Sequence, residues 1–226
     1  MILLGVDTSG KQGSIALARA RRVSGAKGES QDEVEIVETV ALSGGTFSAQ
    51  LIPQISELLG RHGIAKWDVA AFAVASGPGS FTGLRVGLAA VKGLAEVLEK
   101  PIVAVSLLEA TARAGSGHER VLAVLDAGRN EVYVGDYAAG GLAGDERLMG
   151  RAEFLESVEW KVVTTDAPLA EGLRGRGRPV ELVAHPGSVG VARLGWQKLR
   201  AGQRVTPEEL EANYIRRSDA EIFSKG

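Results

Sequence analysis

Two turns rich in small residues contain the groups that could do chemistry in this chain. Asp7-Thr8-Ser9-Gly10 follows a short apolar stretch and supplies a carboxylate, two hydroxyls and backbone N–H groups. Gly77-Pro78-Gly79-Ser80 follows an apolar run and precedes a helical pattern. Exposed N–H groups and the helix dipole point the same way where a helix begins, so such a turn can hold an anion such as phosphate. The candidate anion-binding or nucleotide-binding residues are therefore Asp7, Thr8, Ser9, Gly10, Gly77, Gly79 and Ser80.

A second aspartate occupies a similar place later in the chain. Asp126 follows the apolar stretch 121–125 and opens the turn Asp126-Ala127-Gly128, so it joins the candidate nucleotide-binding set. Asp7 and Asp126 could approach a metal ion through water. An aspartate at the end of a strand often only ties down its own turn, and this simpler role is the favoured one for each aspartate taken singly.

Several familiar catalytic patterns do not occur in the sequence. The glycine turn has no Gly-Lys-Ser/Thr, so it is not a Walker loop, and it does not match a dinucleotide-binding fingerprint. The three histidines form no paired metal-binding motif, and Ser80 lacks the nucleophile-elbow spacing. There is no cysteine, which excludes disulfides and thiolate chemistry. These observations argue against metal-assisted hydrolysis and weaken the case for a serine hydrolase, which stays open because the residues of a triad can be distant in sequence.

Composition places the chain among globular proteins. Its 226 residues include 45% hydrophobic residues and carry a formal charge of −2. A nucleic-acid binder usually has a basic excess, so any RNA is expected to be held mainly by another protein. The sequence shows no signal peptide and no apolar run near the ~20 residues that span a bilayer. We therefore expect a cytoplasmic protein without a membrane segment.

The order of predicted elements repeats. Each half runs strand, strand, strand, helix, strand, helix, strand, helix, and each opens with an apolar strand that ends at one of the two aspartates. Strands without polar alternation suit parallel strands with helices above and below them. The repeat predicts an α/β protein of two similar lobes, residues 1–115 and 116–226, with a cleft between them. Within the first half, the polar residues 21–33 are expected to form a loose hairpin tip, and Pro53 a kink or a late start in the helix 46–60.

The helix expected at 80–98 has more apolar surface than one sheet contact uses. One stripe runs from Leu84 to Leu98, and a second, containing Gly83 and Gly87, lies one residue round the helix. Glycine in a helix interior costs up to about 1 kcal/mol relative to alanine, so a close approach to another backbone is expected. Packing inside the chain and docking of another chain both explain it. Together with the helix 46–60, this surface could form half of a four-helix bundle.

The stretch Ser76–Gly87 resembles the Gly-Pro-Gly-Ser-Phe-Thr-Gly-(Leu/Val)-Arg-(Ile/Val)-Gly signature of the TsaB family, also called YeaZ. Three further stretches agree with that family, in the same order along nearly the whole chain. They are Leu4-Gly5-Val6-Asp7-Thr8-Ser9, Leu125-Asp126-Ala127-Gly128-Arg129-Asn130-Glu131-Val132-Tyr133 and Asn213-Tyr214-Ile215-Arg216.

The resemblance implies an actin-like ATPase fold (ASKHA, ribonuclease H-like). It also implies a non-catalytic subunit needed to form N6-threonylcarbamoyladenosine beside the anticodon of tRNAs that read codons beginning with A. Members pair with a TsaD-like threonylcarbamoyltransferase, and a TsaE-like ATPase joins the complex, through which tRNA is bound. The family contact is a bundle of the first two helices of each partner. Here the corresponding partner-binding residues are Phe47, Gln50, Leu51, Gln54, Gly83, Gly87, Ala90 and Leu94.

Some features depart from the family or leave alternatives open. Phe47-Ser48 stands where many members have His-Ser or His-Thr, so no role of that histidine is carried over, and residues 21–33 receive no role. The alternative function is an ATP-dependent phosphotransferase or ATPase of the same fold. A homodimer through the same helices, and ATP or ADP at the partner interface, are also left open. Gly87→Arg or Leu51→Asp is expected to abolish partner binding while the monomer stays folded.

Overall fold

The computed structural model describes residues 1–24, 30–117, 120–138 and 141–216. Contacts within this part of the chain define two compact units. The first contains Met1–Val105 and Gly187–Ala212, and the second contains Ser106–Pro186 and the segment that begins at Asn213. In chain order the elements are β1 (Ile2–Asp7), β2 (Gly13–Ser24), β3 (Ser30–Leu42), α1 (Phe47–Arg61), β4 (Val69–Gly77), α2 (Phe81–Leu98), β5 (Ile102–Ser106), α3 (Leu107–Ala114), β6 (Val121–Gly128), β7 (Glu131–Ala138), β8 (Gly141–Leu142), β9 (Arg147–Gly150), α4 (Arg151–Ser157), β10 (Lys161–Thr164), α5 (Ala167–Arg174), β11 (Val180–Leu182) and α6 (Gly187–Arg200).

The first unit is a five-stranded sheet with helices on both faces. The strand order is β3-β2-β1-β4-β5, with β1 antiparallel to β2 and parallel to β4. Leu4 faces the side that carries α1 and α2, whereas a Cβ built on Gly5 would lie 2.5 Å from Ser188 O of α6. Because successive side chains of a strand point to opposite faces, α6 covers the face opposite α1 and α2. The C-terminal helix therefore completes the N-terminal unit.

The second unit is a sheet of order β11-β10-β6-β7-β8, with β9 also paired to β7. β10 runs parallel to both β6 and β11, and β7 is antiparallel to β6. The core between this sheet and its helices contains Phe154 of α4 and Leu169 and Leu173 of α5, all nearly inaccessible to solvent. Among the described residues of both units, no helix is long and apolar enough to cross a membrane.

Most predicted elements are present, with three corrections to their bounds. β2 extends to Ser24 and β3 begins at Ser30, so much of the expected loose tip is paired strand. The rest of that tip, residues 25–29, lies outside the described residues. α1 starts at Phe47, so Pro53 does not delay it. The third strand expected in the second half is two short strands, β8 and β9. The lobe boundary at residues 115 and 116 comes from the repeated order of elements and stays a prediction. Contacts divide the chain differently, since they group α6 with the first sheet and α3 with the second unit.

Glu181 in the second unit gives a test of stability against pH. Ser116 N donates to both carboxylate oxygens at 2.9 and 3.0 Å, Ser116 Oγ donates at 2.8 Å, and Lys161 Nζ lies 2.8 Å away. The hydrogen bond from Lys161, followed by those from Ser116, lowers the pKa of Glu181 from 4.5 to about 2. The charged carboxylate therefore stabilises the folded state above pH 4.5, and this contribution is lost as the pH falls towards 2.

Glu181→Gln removes the carboxylate that Lys161 and Ser116 stabilise, so it should lower the free energy of unfolding at pH 7. The loss should be only about 1 kcal/mol, because the side chain is 28% exposed and solvent screens its charge. The difference from wild type should shrink below pH 4.5 and vanish near pH 2. Urea unfolding of both proteins at pH 7, 4 and 3 measures it, with Glu171→Gln on the exposed surface of α5 as the control. A difference that stayed constant with pH would contradict this assignment.

Candidate functional site

The two small-residue turns pack against each other in the first unit. Asp7 is 1% exposed and accepts hydrogen bonds from Ser9 N at 2.9 Å and Ser9 Oγ at 2.6 Å. Ser80 N donates to Ser9 O at 2.7 Å, and a Cβ on Gly79 would lie 2.7 Å from both Ser9 Cβ and Ser9 O. Ser80 also caps α2, since its Oγ accepts from Gly83 N at 3.2 Å. Asp7 therefore ties down its own turn, which in turn supports the start of α2.

The floor of α2 is fitted to Thr8. Thr8 Oγ1 donates to Gly83 O at 2.7 Å. A Cβ on Gly83 would fall 2.0 Å from Thr8 O, and a Cβ on Gly87 would fall 2.3 Å from Thr8 Oγ1. No real Cβ comes so close, so glycine is required at both positions by packing inside the unit.

This packing limits what the turns can offer an anion. A hydroxyl has one proton to donate, and the structure commits that of Thr8 to Gly83 O and that of Ser9 to Asp7. A phosphate bound by these hydroxyls would have to break those bonds. Gly10 is half-buried, Gly77 is buried with φ at +125°, and Gly79 is exposed. Anion or nucleotide binding by this cluster stays a prediction.

Asp126 lies in the second unit and is paired with Arg151, a cation of the same chain. Arg151 Nη2 is 3.0 Å from Asp126 Oδ1 and 2.5 Å from Asp166 Oδ2. Burial works against the charge on Arg151, but the bonds to Asp166 and Asp126 outweigh it and raise the pKa of Arg151. Gly128 N also donates to Asp126 Oδ1 at 3.2 Å, as expected for an aspartate that closes its turn. Over the residues that the structure describes, no group of three or more His, Cys, Asp or Glu side chains is placed to hold a metal ion.

Only part of the predicted partner-binding set is exposed. Phe47 and Leu51 are 7% and 1% exposed and belong to the core of the first unit, and Gly83 and Gly87 are buried against Thr8. The two glutamines are partly exposed. Gln50 bonds to Ser43 N and Thr46 Oγ1, and Gln54 to Glu57. Ala90 and Leu94 are partly exposed on α2.

An open apolar groove of about 600 Å³ runs between the N-terminal halves of α1 and α2. Ile52 is 43% exposed and Phe81 37% exposed, although both are large apolar side chains. The Arg85 guanidinium lies over the Phe81 ring, 3.7 Å from its centroid, within the range of a cation–π contact. We call this surface the α1/α2 groove; it is lined by Ser48, Leu51, Ile52, Phe81, Thr82, Arg85, Val86, Ala89 and Ala90.

A second, more enclosed cavity of about 430 Å³ continues along the same pair of helices. Leu94 and Leu98 of α2 and Ile55 and Leu59 of α1 line it, and Ile52 lines both spaces. The N-terminal halves of α1 and α2 meet at the groove and their C-terminal halves meet at the cavity, so the two helices lie side by side and run parallel. Leu4 and Phe72 of the sheet also line this cavity, so it lies between the two helices and the sheet.

Comparison with known proteins decides the family. A model of the TsaD family, tRNA N6-adenosine threonylcarbamoyltransferase, matches residues 41–155. The tRNA threonylcarbamoyladenosine biosynthesis protein TsaB of Haemophilus influenzae is 31% identical over 74% of this chain and 63% of its own length. The TsaB protein of Escherichia coli is 30% identical over 76% of this chain and 81% of its own length.

The chain belongs to the TsaB (YeaZ) family. YeaZ from Pseudomonas aeruginosa superposes with a TM-score of 0.67 and 29% identity, over 94% of this chain and 99% of that one. The two sheets and the order of elements are those of the actin-like, ribonuclease H-like fold, which confirms the predicted fold class. The match spans less than two thirds of the length of the H. influenzae TsaB protein.

Some groove residues are absent from the predicted partner-binding set, although the TsaB-like signature contains them. Phe81, Arg85 and Val86 belong to the quoted stretch, and Ile52 and Ala89 lie beside predicted positions. The sequence does contain a signal for Ile52, because this apolar residue lies outside the helical stripe of Leu51, Ile55 and Leu58 that faces the sheet.

The expectation that Gly87→Arg or Leu51→Asp leaves the monomer folded is wrong on physical grounds. An arginine at Gly87 would overlap the Thr8 side chain, and an aspartate at Leu51 would bury an unpaired charge in the core. Both variants would disturb the fold together with the surface.

Proposed function

We propose that this chain is a non-catalytic scaffold subunit required for forming N6-threonylcarbamoyladenosine next to the anticodon in tRNAs that read codons beginning with A. In this role it binds a TsaD-like threonylcarbamoyltransferase and supports that subunit's activity. The names of the TsaB relatives and the match to the TsaD family model support the pathway. The exposed α1/α2 groove is the observation that carries the scaffold role.

The groove has the composition of an interface core. Among the residues that line it, Arg85 has the one charged side chain, and apolar residues make up most of the rest. Aromatic and arginine side chains are enriched where binding energy concentrates, and here Phe81 and Arg85 are already stacked. Because Ser80 caps α2 and Thr8 holds its floor, these side chains stand on a rigid helix start. A rigid surface loses little entropy on binding.

A partner with a matching pair of helices would complete a four-helix bundle over this face. A second copy of the chain could cover the same apolar surface, so we propose that a homodimer and the TsaD-like complex exclude each other. The TsaE-like ATPase and tRNA then join through the complex, in the cytoplasm, with ATP or ADP bound where the two subunits meet. The formal charge of −2 agrees with tRNA being held mainly by other subunits.

The alternative function, an ATP-using phosphotransferase or ATPase, has less support from the geometry. A catalytic carboxylate must reach the proton or metal on which it acts. Asp7 is buried and accepts from Ser9, and Asp126 is paired with Arg151. Each aspartate thus has a structural task in its own unit.

The test is reconstitution with the TsaD-like subunit of the same cell. The two purified proteins should form a complex that elutes as one species in size-exclusion chromatography, and cells depleted of this chain should lose threonylcarbamoyladenosine from digested tRNA, measured by mass spectrometry. The chain alone should show no ATP turnover above a heat-denatured control. Sustained turnover by the isolated chain would favour the enzyme alternative, and failure to form any complex would overturn the scaffold role.

A further inference from the structure

The segment Asn213–Arg216 ends the described part of the chain and is called the terminal segment. It packs with the second unit, although α6 and the residues up to Ala212 pack with the first. The segment lies outside any helix or strand. It resembles a family motif, yet it does not line the α1/α2 groove. Polar side-chain contacts attach it to the unit.

Two carboxylates hold the two ends of this segment. Asn213 Nδ2 donates to Glu146 Oε2, and Arg216 Nη2 pairs with Glu131 Oε2. A carboxylate only accepts hydrogen bonds, so the asparagine must present its NH2 group to Glu146. The polar side chains of Asn213 and Arg216 therefore point towards the second unit, while Tyr214 between them is 40% exposed.

The other oxygen of Glu146 is held by the unit itself. Glu146 Oε1 accepts from Ser106 Oγ at 2.5 Å and from the Tyr137 hydroxyl. Ser106 caps the N-terminus of α3, and Tyr137 is a buried residue of β7. Burial, followed by the negative charge of Glu146, raises the pKa of Tyr137, which keeps its hydroxyl protonated as a donor. One carboxylate thus connects the start of α3, a central strand and the terminal segment.

We propose that Glu146 is the clasp that fixes the terminal segment to the second unit, and that Asn213-Tyr214-Ile215-Arg216 serves this internal attachment instead of contacting tRNA or a partner subunit. The pair Arg216–Glu131 is the second point of attachment. Because Ser106 and Tyr137 fix Oε1, the clasp has a defined polarity: Oε1 faces the unit and Oε2 faces Asn213. The proposal does not depend on the scaffold role.

This polarity allows a donor–acceptor exchange as a test. Asn213→Asp has the same shape but places a carboxylate against Glu146, so the backbone amide of Ile215, which donates to Asn213 O at 3.2 Å, should exchange with deuterium about tenfold faster or more. In the double variant Glu146→Gln with Asn213→Asp, the new side-chain amide at position 146 can still accept from Ser106 and Tyr137 through its oxygen. Its NH2 group can then donate to the new carboxylate at position 213. Exchange should return to within about twofold of the wild-type rate, because the donor and the acceptor have only changed places.

Mass-spectrometric hydrogen exchange on the full chain measures these rates, and the affinity for the TsaD-like subunit is measured in parallel. The clasp predicts restored protection in the double variant and the same affinity in all three proteins. Unchanged exchange in Asn213→Asp, or no recovery in the double variant, would overturn the proposal. A loss of affinity in Asn213→Asp without faster exchange would show that the motif contacts the partner instead.

Discussion

Gly83→Ala should lower the free energy of unfolding by about 3 kcal/mol, whereas Gly93→Ala on the same helix should raise it by about 0.5–1 kcal/mol. The added Cβ at position 83 would lie 2.0 Å from Thr8 O, so the Asp7–Ser9 turn must move and the Thr8–Gly83 hydrogen bond is lost. At Gly93 nothing lies within 4 Å of the added Cβ. There alanine only removes the cost of glycine in a helix interior.

Urea unfolding of the three proteins, followed by far-ultraviolet circular dichroism, measures the difference. The two substitutions are chemically identical and lie in one helix, so helix propensity cannot account for opposite signs. If Gly83→Ala were as stable as wild type but weakened partner binding, the glycine stripe would be a docking surface, as one sequence-based interpretation holds. Equal stabilisation by both substitutions would show that Thr8 does not limit the approach of α2.

Local patterns predicted the elements well because their signals lie within a few residues. The apolar run 69–74 became the buried part of β4, and the small-residue stretch after it became the turn before α2, which Ser80 caps. The two aspartates do lie at the end of β1 and near the end of β6. Each of these features depends on hydrophobic period, turn chemistry or capping, which the sequence shows directly.

Contacts between distant residues were the part that the sequence could not supply. Glycine in a helix indicates a close approach without naming what approaches, so packing inside the chain and docking of a partner both explain Gly83 and Gly87 at the level of sequence. The structure gives Thr8 as the neighbour, from a turn far away in the chain. Likewise, nothing in the sequence of α6 indicates that it packs on β1, where Gly5 leaves room for Ser188 and Ala192.

The partner surface predicted on α1 and α2 combines buried with exposed positions. Helical period separates the faces of one helix, yet it does not say which face meets the sheet and which meets the neighbouring helix. Leu51 was chosen for the surface and is in the core, while Ile52, the next residue, lies at the rim of the groove. Relative rotation of α1 and α2 is set by tertiary packing.

Ile52→Lys should weaken binding of the TsaD-like subunit about 100-fold or more while the chain stays folded. Ile52 lines both the α1/α2 groove and the cavity beyond it, so a partner that covers this face would bury the new ammonium group without a counter-charge. In the free chain the position is 43% exposed, and a lysine stem can lie along the apolar surface with its charge in water. The stability of the isolated chain should therefore change by less than about 1 kcal/mol.

Glu57→Lys is the matched control, because it places the same side chain on the same helix but away from the groove, where the Glu57 side chain is 58% exposed and pairs with Arg61. Isothermal titration calorimetry with the purified partner should show near wild-type affinity for this control, since an exposed ion pair contributes less than about 1 kcal/mol. The threonylcarbamoyladenosine content of tRNA should fall with Ile52→Lys and not with Glu57→Lys. Wild-type affinity in Ile52→Lys would exclude this face of α1 from the interface, because a buried, unpaired ammonium group cannot be accommodated in a packed helical bundle without a measurable loss.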